Sequence, residues 1–346
     1  MTKISTISFT ENGDKLNKAI AERLTGKADI SVSLKGARTE GLAEWTAREF
    51  KTADALIFIG AAGIAVRAIA PFIERKDKDP AVIVCDELGR YVIPVLSGHI
   101  GGANELASRL AELIHAEPVI TTATDINNIW AVDTWAVKHG YAIENIEAIR
   151  YVSSALLRHE KVGIKSDMHD GISEIFNGEE IPAGLVYGDT EAEAGISISP
   201  YIKDTWSHTL HLIPKCLVIG AGSRKGAESG NLEKLIERIF KENALSLKAV
   251  SDIATIDIKK DETAIIDLAE KLEVPLKIYS AEELNALPDR FSFDESEFVR
   301  KTTGTDNVCE RSAVKCALER GSGQDAEIII NKTKGDAVTA ALARYR

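Results

Sequence analysis

The sequence predicts an α/β protein: two α/β domains with mainly parallel sheets, joined by a small, irregular β-rich middle region. Three observations lead there. Strand-like and helical patterns alternate from the first residues onward, the regularity lapses from about residue 140 to 213, and a fresh strand at Cys216-Leu217-Val218-Ile219 restarts the alternation. The 346 residues also exceed what one hydrophobic core usually serves. The expected division is 1–139, 140–213 and 214–346.

The elements follow in chain order. Apolar runs at Ile4–Phe9, Ile30–Leu34, Ala55–Ile59, Ala81–Cys85 and Tyr91–Leu96 read as strands. Helical spacing recurs between most of them: Asp14–Leu24, Gly41–Phe50, Ile64–Ile73, and Glu105–His115 with Leu106, Leu110, Leu113 and Ile114 on one face. Val119–Ala123 is a further strand, and Val132 to about His139 a helix. In the middle region Gly171, Gly178, Gly184, Gly188 and Gly195 punctuate short β-rich pieces. Beyond Ile219, a helix through Leu232, Leu235, Ile236 and Ile239 precedes the strand Ile253–Ile258. A helix over Thr263–Leu272, a strand Leu276–Tyr279, and helices around Ala281–Leu287 and Val308–Leu318 come next. Glu327–Ile330 is expected as a strand before a last helix.

Composition narrows the possible partners. With 45% hydrophobic and 27% charged residues the chain can bury real cores and is not a candidate for disorder. A formal net charge of −11 argues against nucleic acid or an anionic membrane surface as partner. No apolar run approaches the roughly 20 residues of a membrane span, and Met1-Thr2-Lys3-Ile4 enters a strand pattern without a signal peptide, so a cytoplasmic location is expected. Cys85, Cys216, Cys309 and Cys316 lack C-x-x-C spacing and are expected to be reduced core thiols. No His/Cys/Asp cluster is spaced to hold a catalytic metal, and no cofactor is expected.

The densest chemistry lies in Leu96-Ser97-Gly98-His99-Ile100-Gly101-Gly102-Ala103-Asn104-Glu105-Leu106-Ala107, between a strand and a helix. Gly98, Gly101 and Gly102 let backbone approach a ligand, and the helix start favours an anionic group. His99 titrates near neutrality and can serve as general base, while Asn104 reads equally as a helix cap and Glu105 as a first-turn charge. Thr121-Thr122-Ala123-Thr124-Asp125 closes another strand and faces the same sheet edge if all strands run parallel; turn chemistry explains it equally well.

Two other glycine turns stand out. Gly60-Ala61-Ala62-Gly63 opens a helix with Arg67 one turn on, a possible cradle for a carboxylate or phosphate. Gly220-Ala221-Gly222-Ser223-Arg224-Lys225-Gly226 is superficially like a dinucleotide fingerprint, but its last glycine is displaced by one position and no acidic residue stands about twenty positions on at an obvious strand end. Arg224 offers a planar fork for a carboxylate. Glu310 falls near the start of the helix that follows Asp306-Asn307, where electrostatic decoration is the plain reading.

Taken together, Gly60–Arg67, Leu96–Ala107 and Gly220–Gly226 resemble the CbiG-type cobalt-precorrin-5A hydrolase family of anaerobic cobalamin biosynthesis, across the whole chain. The carboxyl domain is also similar to the small stand-alone CobE-type proteins, which adds Glu310 in its V-x-E-x-x-A context. Ser223 stands where the family's turn commonly carries cysteine, so no thiol nucleophile is implied there. The resemblance implies opening of a ring A δ-lactone and expulsion of a two-carbon unit as acetaldehyde. It implies catalytic roles for His99 as base, Ser97 with the Gly101 and Gly102 amides at the oxyanion, and Glu105 orienting the imidazole or relaying protons. Gly60, Gly63, Arg67, Gly98, Gly101, Gly102, Asn104, Gly220, Gly222, Arg224, Gly226 and Glu310 would meet the substrate. The partner implied is a small-molecule corrinoid that carries its own cobalt, with other enzymes of the pathway as further partners. A non-catalytic corrinoid-binding or scaffold role, and an NAD(P)-dependent oxidoreductase, are the other classes open to these residues.

Overall fold

The computed structural model describes residues 2–37, 40–75, 78–321 and 326–346. The first compact unit comprises Met1–Lys138 and Leu156–His159. Its elements are β1 (Lys3–Ser8), α1 (Glu11–Leu24), β2 (Asp29–Ser33), α2 (Leu42–Thr52), β3 (Ala55–Ile59), α3 (Ala62–Ile69), β4 (Ala81–Cys85), β5 (Tyr91–Leu96), α4 (Ala103–Ile114), β6 (Glu117–Pro118), α5 (Ala123–Ile126) and α6 (Val132–Lys138). The strands form one sheet in the order β2-β1-β3-β4-β5-β6. Helices cover both faces, which is why β3 is apolar at every position: Ile57 and Ile59 pack among Ile20 and Leu110, Leu56 and Phe58 among Trp45 and Ile69.

Strand direction decides where the site lies. Strands β1 to β4 are parallel, but β5 runs antiparallel to β4, with Cys85 opposite Val92 and Val82 opposite Leu96. The cause is the connection: residues 86–90 are too few for a crossover, which needs a dozen or more. They fold as a hairpin in which the Asp86 carboxylate accepts the amides of Leu88, Arg90 and Tyr91, at 2.9, 2.8 and 2.7 Å. Strand β6 is parallel to β5. Whatever follows β5 or β6 therefore emerges where β1, β3 and β4 begin, at the edge opposite Gly60.

The second unit comprises His139–Ala155 and Glu160–Arg346. The middle region, expected as irregular β pieces, builds a sheet of its own from β7 (Ala142–Ile143), β8 (Val162–Ser166), β9 (Leu185–Tyr187), β10 (Ala194–Ile198) and β11 (His208–Ile213), with α7 (Ile149–Leu157) and α8 (Ile172–Phe176) between strands. Its order is β7-β11-β10-β8-β9, parallel except for β7. Gly195 is not punctuation but an in-strand position beneath the Trp206 ring, which leaves no room for a side chain.

The carboxyl-terminal sheet carries β12 (Leu217–Ser223), α9 (Ser229–Glu242), β13 (Val250–Ile256), α10 (Thr263–Leu272), β14 (Leu276–Tyr279), α11 (Ala281–Asn285), α12 (Glu297–Thr303), α13 (Val308–Arg320), β15 (Ala326–Lys334) and β16 (Val338–Tyr345), in the order β14-β13-β12-β16-β15. The expected class of mainly parallel α/β sheets is thus observed in three sheets. Two elements differ: Val119–Ala123, expected as a strand, lies past the two-residue β6 and ends in α5, and Val338–Tyr345, expected as a helix, is a strand hydrogen-bonded on both sides, antiparallel to β12 and β15. Tertiary pairing overrides the helical propensity of its alanines. All four cysteines are free and buried. Among the described residues no helix is long and apolar enough to cross a membrane.

Candidate functional site

The turn after β5 is a closed loop that caps its own helix. Ser97 takes a left-handed φ of 56° and its hydroxyl donates to the Asp79 carbonyl at 2.9 Å. The carbonyls of Ser97, Gly98 and His99 then accept the amides of Ala103, Asn104 and Gly102, at 3.1, 2.9 and 2.9 Å. Such closeness needs glycine: a Cβ on Gly98 would come 2.8 Å from Asn104 Oδ1, and one on Gly101 would overlap the Ser97 side chain.

This loop aims His99 at two carboxylates. Its Nδ1 lies 3.2 Å from Asp133 Oδ1 at the start of α6, and its Nε2 lies 3.0 Å from Asp125 Oδ2 in α5. Thr124 Oγ1 approaches Nε2 at 3.3 Å. Asn104, in the first turn of α4, donates through Nδ2 to Asp125 Oδ2 and to Thr122 Oγ1, both at 2.9 Å. Burial grades across the cluster, from Asp133 at 6% exposed through His99 at 16% to Asp125 at 38%. The Asp133 hydrogen bond, aided by Asp125 and opposed by partial burial, pushes the imidazole up to about 9. Burial disfavours the Asp133 anion, but the bond and charge of His99 outweigh it and hold that carboxyl below its ordinary range. At neutral pH the group is an imidazolium between two carboxylates.

Several expected roles change with this geometry. His99 has both ring nitrogens engaged by carboxylates, so neither stands free to take a proton from water in this arrangement. Glu105 does not orient the imidazole: it is 72% exposed and pairs with Arg109 one turn on, at 3.8 Å. The orienting carboxylates are Asp125 and Asp133. The Gly102 amide is spent on the His99 carbonyl and so is not free for an oxyanion. The Ser97 hydroxyl fastens the loop to Asp79.

Gly60, Gly63 and Arg67 belong elsewhere, at the far edge of the sheet, because β5 is reversed. Gly60 lies beneath Phe9, whose ring a Cβ would meet at 2.9 Å. In the carboxyl-terminal sheet, Gly220 and Gly222 sit within β12 rather than in the turn beyond it. Gly220 is glycine because the Cys309 carbonyl of α13 packs directly over it, and this disposes of a phosphate-cradling turn. The turn is carried by exposed Arg224, Lys225 and Gly226, the last at φ 73°. Glu310, expected to meet substrate, is buried and satisfied. Its Oε2 accepts from the Asp294 amide at 3.1 Å and Asn307 Nδ2 at 2.6 Å, and its Oε1 from the Lys332 amide at 2.7 Å.

Sequence reasoning singled out the Thr121–Asp125 segment but passed over Asp133, whose position in the first turn of a helix reads as dipole decoration. At the same edge as His99, a cleft of about 320 Å³ is lined by Ile4, Leu24, Lys27, Gly101, Gly102 and Arg109 among others, with Glu105 on it as well. Among the described residues, no group of three or more His, Cys, Asp or Glu is arranged to hold a metal ion.

An imidazole held between two carboxylates on a mainly parallel α/β frame is an arrangement chemically able to move protons. The family descriptions "Cobalamin synthesis G N-terminal", "Cobalamin biosynthesis central region" and "Cobalamin synthesis G C-terminus" match residues 44–125, 130–214 and 217–343. The chain belongs to the cobalamin synthesis G (CbiG) family. It is 37% identical over 321 residues to the cobalt-precorrin-5A hydrolase of Salmonella typhimurium, covering 88% of this chain and 89% of the relative. The cobalt-precorrin-5A hydrolase of Priestia megaterium is 31% identical over 86% of this chain and 80% of its own length. Protein CobE of a Sinorhizobium species is 30% identical over 37% of this chain and 79% of its own. The chain is accordingly a hydrolase with a role in cobalamin biosynthesis.

Proposed function

We propose that this protein hydrolyses the ring A δ-lactone of cobalt-precorrin-5A and releases acetaldehyde, giving cobalt-precorrin-5B in the anaerobic route to cobalamin. Near full-length similarity to cobalt-precorrin-5A hydrolases supports the substrate. The observation that carries the chemistry is the His99 imidazole bracketed by Asp125 and Asp133. Water loses a proton as it attacks the lactone carbonyl, and the ring oxygen gains one as its C–O bond breaks. The freed hydroxyl then loses its proton as the adjacent C–C bond breaks, and the macrocycle carbon left behind gains one. One water is consumed and no electrons are exchanged with a cofactor. An open carboxylate able to take and return a proton, beside a fixed imidazolium charge, suits each of these transfers.

Cobalt is part of the substrate in this reading, and no resident cofactor is invoked. The corrinoid's acetate and propionate arms call for local cations on an acidic protein. Arg224 and Lys225 are exposed, and among the described residues no carboxylate is paired with either. A cytoplasmic location and contact with neighbouring enzymes of the pathway complete the proposal.

Anaerobic incubation of the purified protein with cobalt-precorrin-5A tests it. The expected result is one acetaldehyde released per corrinoid converted. Corrinoid that binds but returns unchanged points instead to a non-catalytic carrier, and consumption of NAD(P)H to an oxidoreductase.

A further inference from the structure

Resting on that hydrolase reading, we infer that Asp125 is the catalytic base of the site and Asp133 the positioning residue that holds the His99 ring against it. Three observations converge on Asp125. Both imidazole nitrogens are committed, Nδ1 to Asp133 and Nε2 to Asp125, so neither has a lone pair to offer water. Asp125 Oδ2 is fixed by His99 and by the Asn104 amide, while no donor among the described residues reaches Oδ1. Asp125 is also the most exposed of the three titratable groups, and Asp133 is sealed behind the ring. The acceptor presented at the surface of the cluster is Asp125 Oδ1.

The proton inventory closes. Asp125 Oδ1 takes a proton from water as its oxygen bonds to the lactone carbonyl carbon, and the tetrahedral oxyanion forms beside the imidazolium. The C–O bond to the ring oxygen then breaks, and that oxygen takes the proton from Asp125, which returns to the carboxylate. Loss of the two-carbon unit repeats the exchange: Asp125 takes the hydroxyl proton, the C–C electron pair stays with the macrocycle, and its carbon takes that proton from Asp125, which returns to the carboxylate. Asp125 from α5 and Asp133 from α6 are the charged groups facing the ring, with Asn104 of α4 and Thr124 as its neutral polar surroundings.

The experiment compares wild type with Asp125→Asn, Asp125→Ala and Asp133→Asn on cobalt-precorrin-5A, and follows the His99 ring by NMR titration in each. Asp125→Asn should lower kcat about a thousandfold, within the range general acid–base groups command. Formate should restore part of the rate to Asp125→Ala, because the position is open enough to admit it; a merely structural residue would show no such rescue. Asp133→Asn should lower kcat roughly tenfold at unchanged KM and bring the His99 titration down from about 9 towards 6.5. Asp125→Asn retaining more than about a tenth of kcat, or no formate rescue, overturns the base assignment. An unmoved His99 titration in Asp133→Asn overturns the positioning role. Wild type that leaves the substrate untouched overturns the hydrolase reading itself, which separates that failure from the other two.

Discussion

His99 Nδ1 and Asp133 Oδ1 stand 3.2 Å apart across 34 residues of chain, tying the loop after β5 to the first turn of α6. Because the folded imidazole titrates at about 9 instead of 6.5, the folded state binds that proton more tightly than the unfolded chain does. The stabilisation is therefore complete below about pH 6.5, declines as pH rises, and is gone above about 9, with an upper size of about 3 kcal/mol. Urea unfolding of wild type and Asp133→Asn at pH 6 and pH 9.5 checks it. The gap between the two proteins should shrink markedly at the higher pH; an equal gap at both would contradict the linkage.

Glu105→Gln should leave kcat and its pH profile as in wild type. The side chain is largely in solvent and pairs weakly with Arg109, a contact worth a few tenths of a kcal/mol at most. Steady-state kinetics across pH 6 to 9.5 are the check, and a displaced profile would return Glu105 to the proton pathway.

For Glu310→Gln the expected effect is on stability, not on substrate affinity. Both carboxylate oxygens of Glu310 accept protein donors, two of them backbone amides. A glutamine would turn an NH2 towards one set of those donors and leave a buried amide unpaired, costing about 2–3 kcal/mol. Thermal melting should show the loss while KM, measured well below the transition, stays put. A raised KM with an unchanged melt would restore a substrate-binding role.

Much of the frame was legible because apolar strands and amphipathic helices alternate from Lys3 to Cys85. The reversal of β5 was legible in principle as well: nothing helical separates Cys85 from Tyr91, so the pair had to be a hairpin. What could not be read were features set by distant pairing. Val338-Thr-Ala-Ala-Leu-Ala-Arg-Tyr345 carries helix-forming residues, and only its place between β12 and β15 makes it a strand. His99 announced itself through its glycines, yet its partners did not. Asp125 resembled turn chemistry and Asp133 a helix-start charge until the fold brought both to one ring.

Gly220→Ala should be the most damaging single-methyl change in the carboxyl-terminal sheet. The Cys309 carbonyl sits where the new Cβ would go, with the Ala313 side chain also within 2.9 Å. Neither neighbour can yield cheaply. The carbonyl belongs to the first turn of α13, which Asn307 caps by accepting the Glu310 amide at 3.0 Å, and the strand is paired on both sides. Relieving the overlap means lifting α13 from β12, so a loss of at least about 3 kcal/mol is expected, at the upper end of overpacking effects. Gly226→Ala is the control: it has open space around it and pays only for a φ of 73°, about 1 kcal/mol. Parallel melts of the two variants decide the matter. Equal small losses would mean that the helix–strand contact is far softer than its geometry indicates.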